Sequence, residues 1–165
     1  MIEFLDQISK GIEANLYYLA LFASLSIPDI CGALGSENGK SRRDKYINWF
    51  NENVGNPKNY NLSGEDCYHL RCAMLHQGKT THDRSGFQRV IFVEPSPRLI
   101  ILHNNIINNA LNIDVQIFCS DLIEAAKKWF ERNSENKTVI ENYRHLVKRH
   151  PEGLKPYISG LSVIS

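Results

Sequence analysis

Apolar residues recur at three- and four-residue steps through the first 26 residues and predict one long amphipathic helix over about residues 2–26. The segment Tyr17–Leu25 is apolar nearly all round, which is typical of a helix that becomes buried. Pro28 suits the first turn of a following helix and Gly35 its end, so a short helix is predicted over about 28–34.

Helical spacing returns twice before the middle of the chain. A helix over about 41–53 begins among four cations, and cations at a helix N-terminus oppose the helix dipole. They indicate either a partner surface or a solvated face. After a loop at 55–62, Ser63 precedes Asp66 by three residues, a capping-box pattern, and Gly78 suits a helix end, so a helix is predicted over about 63–77.

The pattern changes to β-rich runs after residue 87. Two such runs flank Pro95 and Pro97 and predict an antiparallel hairpin over about 88–103, with a third short strand in 108–113. Asp114 is a plausible cap for a helix over about 114–133, followed by a short helix near 139–147 and a loosely held tail after about 148. The predicted fold is a single, mainly α domain over 1–165: a helical bundle with an inserted antiparallel hairpin of about three short strands.

Composition narrows the class of protein. With 42% hydrophobic and 22% charged residues the chain resembles an average globular protein, which excludes disordered, collagen-like and coiled-coil classes. Its net charge of +1 excludes attraction of nucleic acid to the whole surface but allows a local basic patch. The four cysteines are interpreted as reduced thiols, and the apolar run 16–27 is shorter than the ~20 residues that span a bilayer. We therefore expect a soluble cytoplasmic protein with no membrane partner.

Titratable residues are concentrated in the helix 63–77, too many for a purely structural element. At about 100° per residue, Arg71 and His76 are separated by roughly 140° around the axis, whereas His69, Cys72 and His76 lie within about 60° of one another. The buried side of the helix is predicted from its apolar residues, Cys67, Leu70, Ala73 and Met74.

The segment from Arg71 through Cys72, Ala73, Met74 and Leu75 to His76 resembles the Arg-x4-6-His motif of the HEPN superfamily, small helical domains of which many are metal-independent ribonucleases. The stretch 2–133 is similar to an uncharacterised bacterial branch of that superfamily. The residue after the family's Arg is usually Asn, Asp or His, and here it is Cys72.

The resemblance implies a homodimer whose two Arg71 and two His76 side chains share one basic cleft. His76 would move a proton and Arg71 would hold the scissile phosphate of an RNA, which leaves a 2′,3′-cyclic phosphate without metal or cofactor. We expect Cys72, Lys79, His82 and Arg84 to contact the substrate. A toxin or phage-defence role, with a partner protein encoded nearby, is the biological setting that the family suggests.

Several alternatives remain open from the residues alone. The same fold can serve as a non-catalytic RNA-binding or assembly module. Arg71 can pair with Asp66, Glu65 or a carboxylate on another helix, and His76 can favour the dipole at a helix C-terminus. A buried salt bridge that locks Arg71, or a His76 satisfied in the core, would contradict the enzyme.

Three weaker alternatives concern the residues around the motif. Cys72 and His76 have the spacing of a metal pair, with His69 on the same face, and Cys72 beside His76 also suggests an activated thiol. The loop with Lys79, His82, Arg84 and Arg89 is either an RNA-binding rim or a solvated loop. A branch of the family that is modified on a Tyr shortly after the motif His is disfavoured, since residues 77–80 contain no Tyr.

Overall fold

The computed structural model describes residues 1–55, 60–81, 87–96 and 100–165. Over these ranges the chain is mainly helical, which confirms the predicted class; its arrangement as a HEPN-like bundle stays a prediction. The helices are α1 Ile2–Glu13, α2 Tyr17–Leu25, α3 Ile27–Leu34, α4 Arg43–Asn53, α5 Gly64–Gln77, α6 Val115–Arg132 and α7 Lys137–Arg144. The strands are β1 Arg89–Val93, β2 Asn105–Ile107, β3 Ala110–Asp114, β4 Arg149–His150, β5 Gly153–Leu154, β6 Ile158–Ser159 and β7 Val163–Ile164.

The predicted helix over 2–26 is wrong in its continuity, because the chain turns back on itself between α1 and α2. Asn15 has φ 58°, the left-handed conformation that Asn tolerates better than most residues. The Leu16 N–H donates to the Gly11 carbonyl at 2.8 Å, which closes the end of α1. The two helices then pack against each other as a helical hairpin.

The other predicted helix boundaries are close to those observed. α3 carries Pro28 in its first turn and ends before Gly35. α5 begins with the predicted capping box between Ser63 and Asp66 and ends at Gly78 with φ 64°. Asp114 caps α6 by accepting from the Ile117 N–H at 3.0 Å.

The start of α5 lies directly against α4. The Gly64 N–H donates to Asn51 Oδ1 at 2.7 Å, and a Cβ at Gly64 would lie 2.5 Å from the Ile47 carbonyl oxygen. Only a residue without a side chain allows this approach. The close contact with α4 fixes the orientation of α5, and with it the position of the polar residues on that helix.

The antiparallel hairpin predicted over 88–103 is wrong in its pairing. β1 runs parallel to β3, with Arg89 opposite Ala110, and β2 pairs antiparallel with β3, so the strand order is β1-β3-β2. The hairpin forms between β2 and β3 because Asn108 and Asn109, with φ of 50° and 59°, make the two-residue turn that suits twisted strands. Residues 100–102 form no strand, and Leu99 lies outside the described residues. The predicted third strand in 108–113 corresponds to β3.

The main core lies where α6 meets the N-terminal helices and the inner face of the sheet. Its largest fully buried side chains come from α1, α2, α3, α4, α6, β3 and the segment before α5: Leu5, Leu25, Ile27, Tyr46, Phe50, Leu62, Leu111, Ile113, Phe118 and Leu122. The four cysteines are free, and three of them are buried.

α2 and α3 together form an 18-residue apolar stretch, Tyr17–Leu34, with a mean hydropathy of 1.4. Its length and composition would allow a membrane span, but half of it is buried inside the fold, and the helix is interrupted at Ser26. Core helices of soluble proteins have the same composition. The described residues have the build of a soluble globular protein.

The end of the chain differs from the loosely held tail predicted after residue 148. β4 pairs with β7 and β5 with β6, so the segment folds into two small antiparallel sheets. Its side chains are largely exposed, with Tyr157 81% and Ile164 75% accessible. Backbone pairing, and not a buried apolar face, gives this segment its structure.

Candidate functional site

Arg71 is anchored to a carboxylate on a different helix. Its Nη2 lies 2.7 Å from Oδ2 of Asp29 on α3, and the two side chains are 22% and 21% exposed. The other oxygen of Asp29 accepts a hydrogen bond from Ser41 Oγ at 3.1 Å. Partial burial acts to lower the pKa of Arg71, but Asp29 and Cys72 together outweigh it, so the pKa is raised and the guanidinium stays charged.

The second arm of the guanidinium reaches His76. Arg71 Nη1 lies 3.2 Å from His76 Nε2 at the exposed end of α5. Because a guanidinium only donates, Nε2 accepts in this contact, and the imidazole is the tautomer with its proton on Nδ1. The two side chains therefore meet within one chain, although their positions around the helix axis suggested that a partner was needed. The long Arg71 side chain bridges the angle that separates the two Cα atoms.

Cys72 lies beside this pair without joining it. Its Sγ is 3.8 Å from Arg71 Nη1, a weak contact. Partial burial and the interaction with this thiol raise the pKa of Tyr68, and Arg71 opposes the shift. Cys72 is thus held between Tyr68 and Arg71 at the back of the cluster.

Of the remaining predicted substrate contacts, the structure describes only Lys79. Lys79 is exposed just after Gly78, and its backbone N–H donates to the Ala73 carbonyl at 3.1 Å. His82 and Arg84 lie outside the described residues. Arg89 opens β1, where it lines a pocket of about 350 Å³ with Thr80 and Phe92. The RNA-binding rim stays a prediction, because two of its four residues lie outside the described ranges.

His69 does not face Cys72 and His76 as a metal ligand would. Its side chain is 6% exposed, and its Nε2 lies 3.7 Å from Oε1 of Glu65 on the same helix. Within residues 1–55, 60–81, 87–96 and 100–165, no group of three or more His, Cys, Asp or Glu residues is arranged to hold a metal ion. The buried position of His69 is a feature that the helical pattern alone did not predict.

Asp29 is the member of the cluster that sequence reasoning missed. Of the partners considered for Arg71, Asp66 belongs to the capping box of α5 and Glu65 pairs with Arg43, which leaves the carboxylate on another helix. A signal for it exists in the sequence: Asp29 is the one charged residue between Glu13 and Glu37. A lone charge in so apolar a stretch requires a partner when the stretch is buried.

The chain was compared with protein-family models, with curated proteins and with solved structures, and none of them matches it. The resemblance to HEPN domains therefore depends on the motif around Arg71 and His76 and on the order of the elements. The function has to be argued from the geometry of the Arg71, His76 and Asp29 side chains.

Proposed function

We propose that the protein is a HEPN-like, metal-independent endoribonuclease with Arg71 and His76 as its catalytic residues. The observation that supports this best is the 3.2 Å contact between Arg71 Nη1 and His76 Nε2 at the exposed end of α5. A fixed cation beside an imidazole that can accept a proton is the pair that phosphodiester transesterification requires.

In the proposed reaction an RNA phosphate replaces His76 as the hydrogen-bond acceptor at Arg71 Nη1. Arg71 donates to a non-bridging oxygen and stabilises the charge that develops there. His76 Nε2 accepts the proton of the 2′-hydroxyl, the 2′-oxygen bonds to phosphorus, and the bond to the 5′-oxygen breaks. The products are a 2′,3′-cyclic phosphate and a 5′-hydroxyl.

The leaving 5′-oxygen needs a proton, and a second copy of the chain would supply it from its own His76. A homodimer is for this reason part of the proposal. Cys72, Lys79, His82 and Arg84 are proposed to contact the RNA. We place the enzyme in the cytoplasm, in a toxin or phage-defence setting with a partner protein encoded nearby.

Asp29 is proposed as a positioning residue. By holding Nη2 it fixes the guanidinium plane and leaves Nη1 directed at His76. Nε of Arg71 is buried and has no hydrogen-bond partner among the described residues. The phosphate would consequently meet one oriented donor arm on this chain.

The same ion pair favours a second candidate, a non-catalytic RNA-binding or assembly module. In this second candidate, the only role of the partly buried Arg71–Asp29 ion pair is to join α5 to α3. In that case the exposed His76 would have no role in chemistry.

The deciding experiment is cleavage of a labelled pool of structured RNAs in EDTA by the wild type, His76→Ala and Arg71→Lys. We expect cyclic-phosphate ends from the wild type and a loss of at least about 10²-fold in each variant, the size of a general acid–base contribution. His145→Ala is the matched control, since His145 is likewise exposed near the C-terminal end of a helix.

Light scattering on each protein separates loss of chemistry from loss of the dimer. Binding of the pool without cleavage by a folded wild-type dimer would favour the module. Cleavage that persists in His76→Ala would overturn the assignment of the base.

A further inference from the structure

A polar cavity lies apart from the Arg71–His76 cluster, with none of the residues of that cluster in its lining. It has a volume of about 330 Å³ and lies between the end of α4, the segment before α5 and the outer face of α6. The lining residues that carry polar groups are Asn53, Tyr60, His103, Asp121, Glu124 and Lys128. It shares no lining residue with the proposed ribonuclease site.

Two buried polar atoms at this cavity have no partner. The Tyr60 side chain is buried, with 8% of the residue exposed, and its hydroxyl forms no hydrogen bond within the described part of the chain. The same holds for Nδ1 of His103, whose ring packs edge-to-face on Tyr60 at 5.3 Å between centroids. Buried polar groups are nearly always satisfied, so an unmet pair facing one cavity points to a ligand.

Asp121 adds an uncompensated charge to the same cavity. It forms no ion pair or hydrogen bond among the residues that the structure covers, whereas Glu124 is paired with Lys128 at 2.6 Å. The three charges of the lining therefore leave a net charge of −1. Burial raises the pKa of Asp121, Glu124 adds to this effect, and His103 opposes it.

We propose that this cavity binds a small organic cation with N–H donors, an amine or amidinium. Asp121 accepts a charge-assisted hydrogen bond from it. The hydroxyl oxygen of Tyr60 and Nδ1 of His103 accept from its remaining N–H groups. The ligand thus supplies partners to Asp121, Tyr60 and His103 that the described residues do not.

The test is a titration of the full-length, ¹⁵N-labelled chain with benzamidinium chloride, followed by amide chemical shifts. The neutral analogue benzamide is the matched probe, because it has a similar shape without the charge. We expect saturable shifts around Asp121 and Tyr60 with a Kd of about 1 mM or lower. Benzamide should bind at least about tenfold more weakly, since it lacks the ion pair with Asp121.

Two isosteric variants locate the site. Asp121→Asn should weaken benzamidinium by about tenfold, and Tyr60→Phe by a smaller factor, since it removes a single neutral hydrogen bond. Glu131→Gln, an exposed change elsewhere on α6, should leave binding unaltered. The amide spectrum of each variant reports whether it is folded. If Asp121→Asn does not fold, Tyr60→Phe, which keeps the aromatic ring, still tests the site.

Three outcomes would overturn the proposal. These are the absence of a saturable shift in the wild type, equal binding of benzamide and benzamidinium, and binding to Asp121→Asn as tight as to the wild type. In each of these cases the cavity does not select an organic cation through Asp121. None of these outcomes bears on RNA cleavage, because the two sites share no residue.

Discussion

The two polar clusters of the molecule differ in whether their carboxylates are paired: Asp29 forms an ion pair with Arg71, whereas Asp121 forms none among the described residues. Arg71 is held by Asp29 on one arm and meets His76 on the other, and Asp29 is held in turn by Ser41. At the second cluster the hydroxyl of Tyr60 and Nδ1 of His103 have no partner among the described residues. Fixed, paired groups favour a reaction, because they need not reorganise, whereas unpaired buried groups favour binding of a ligand that completes them.

Breaking the Arg71–Asp29 ion pair should have the largest effect on stability. Asp29→Asn leaves the partly buried Arg71 without its counter-charge, and we expect a loss of about 1–3 kcal/mol in the free energy of unfolding, less than for a fully buried pair. Asp44→Asn is the control, since Asp44 also pairs with an arginine but is 55% exposed. It should cost less than about 1 kcal/mol.

Urea denaturation of the two variants beside the wild type measures the difference. Equal losses would mean that the Asp29 pair behaves like a surface pair and does not organise the site. Asp29→Asn should also reduce RNA cleavage by more than it reduces RNA binding, because a positioning residue acts on the reaction step.

Removal of the hydroxyl oxygen from each of two buried tyrosines compares a paired with an unpaired group. Tyr46 is fully buried, and its hydroxyl donates to the Leu25 carbonyl at 3.2 Å and lies 3.3 Å from Cys67 Sγ. Tyr46→Phe should therefore cost about 1–2 kcal/mol. Tyr60→Phe removes a hydroxyl without a partner, so its effect should lie within about 0.5 kcal/mol of zero. Thermal unfolding checks both, and a loss for Tyr60→Phe as large as that for Tyr46→Phe would contradict the absence of a bond at Tyr60.

A further small effect is expected at Asp121 and depends on pH. Burial raises the pKa of the folded-state carboxyl above the unfolded value of about 3.9, with His103 opposing the shift. The folded protein then loses stability as the pH rises from below 3.9 through that raised pKa, because ionisation is easier in the unfolded chain. Asp121→Asn should be more stable than the wild type at pH 7, by less than about 1 kcal/mol.

Unfolding measured from acid to neutral pH tests this sign. The advantage of Asp121→Asn should vanish below about pH 3, where both side chains are neutral. Saturating benzamidinium should reverse the order at pH 7, since the ligand stabilises only the protein that binds it. A wild type that is more stable than Asp121→Asn without ligand at pH 7 would show that Asp121 has a partner in solution.

Local sequence signals predicted the parts of the fold that local interactions determine. Ser63 with Asp66, Gly78 and Asp114 mark helix ends through bonds within a few residues, and each was found where the pattern indicated. The break at Asn15 was missed because the apolar periodicity continues across it. The pairing of β1 with β3 was missed because register between distant strands is a tertiary property.

The same division between local and tertiary interactions applies to the candidate site. Arg71 and His76 were identified from their spacing, but their direct contact depends on side-chain reach, which angles between Cα positions do not include. The Arg71–Asp29 ion pair and the cavity at Tyr60 are both formed by residues that are distant in the sequence. A motif search along the sequence does not detect such groupings. Only the isolated charge of Asp29 in an apolar stretch hinted at such a partner.

The topology of the mixed sheet also implies an order in which its strands pair during folding. The β2–β3 hairpin closes through two residues, Asn108 and Asn109, and such hairpins form within about 1–10 μs. β1 pairs later, because its pairing with β3 closes a longer segment of the chain than the two-residue turn does. We therefore expect the hairpin to be a template that β1 joins late, so that the wall of the pocket at Arg89 and Phe92 is among the last parts of the molecule to form.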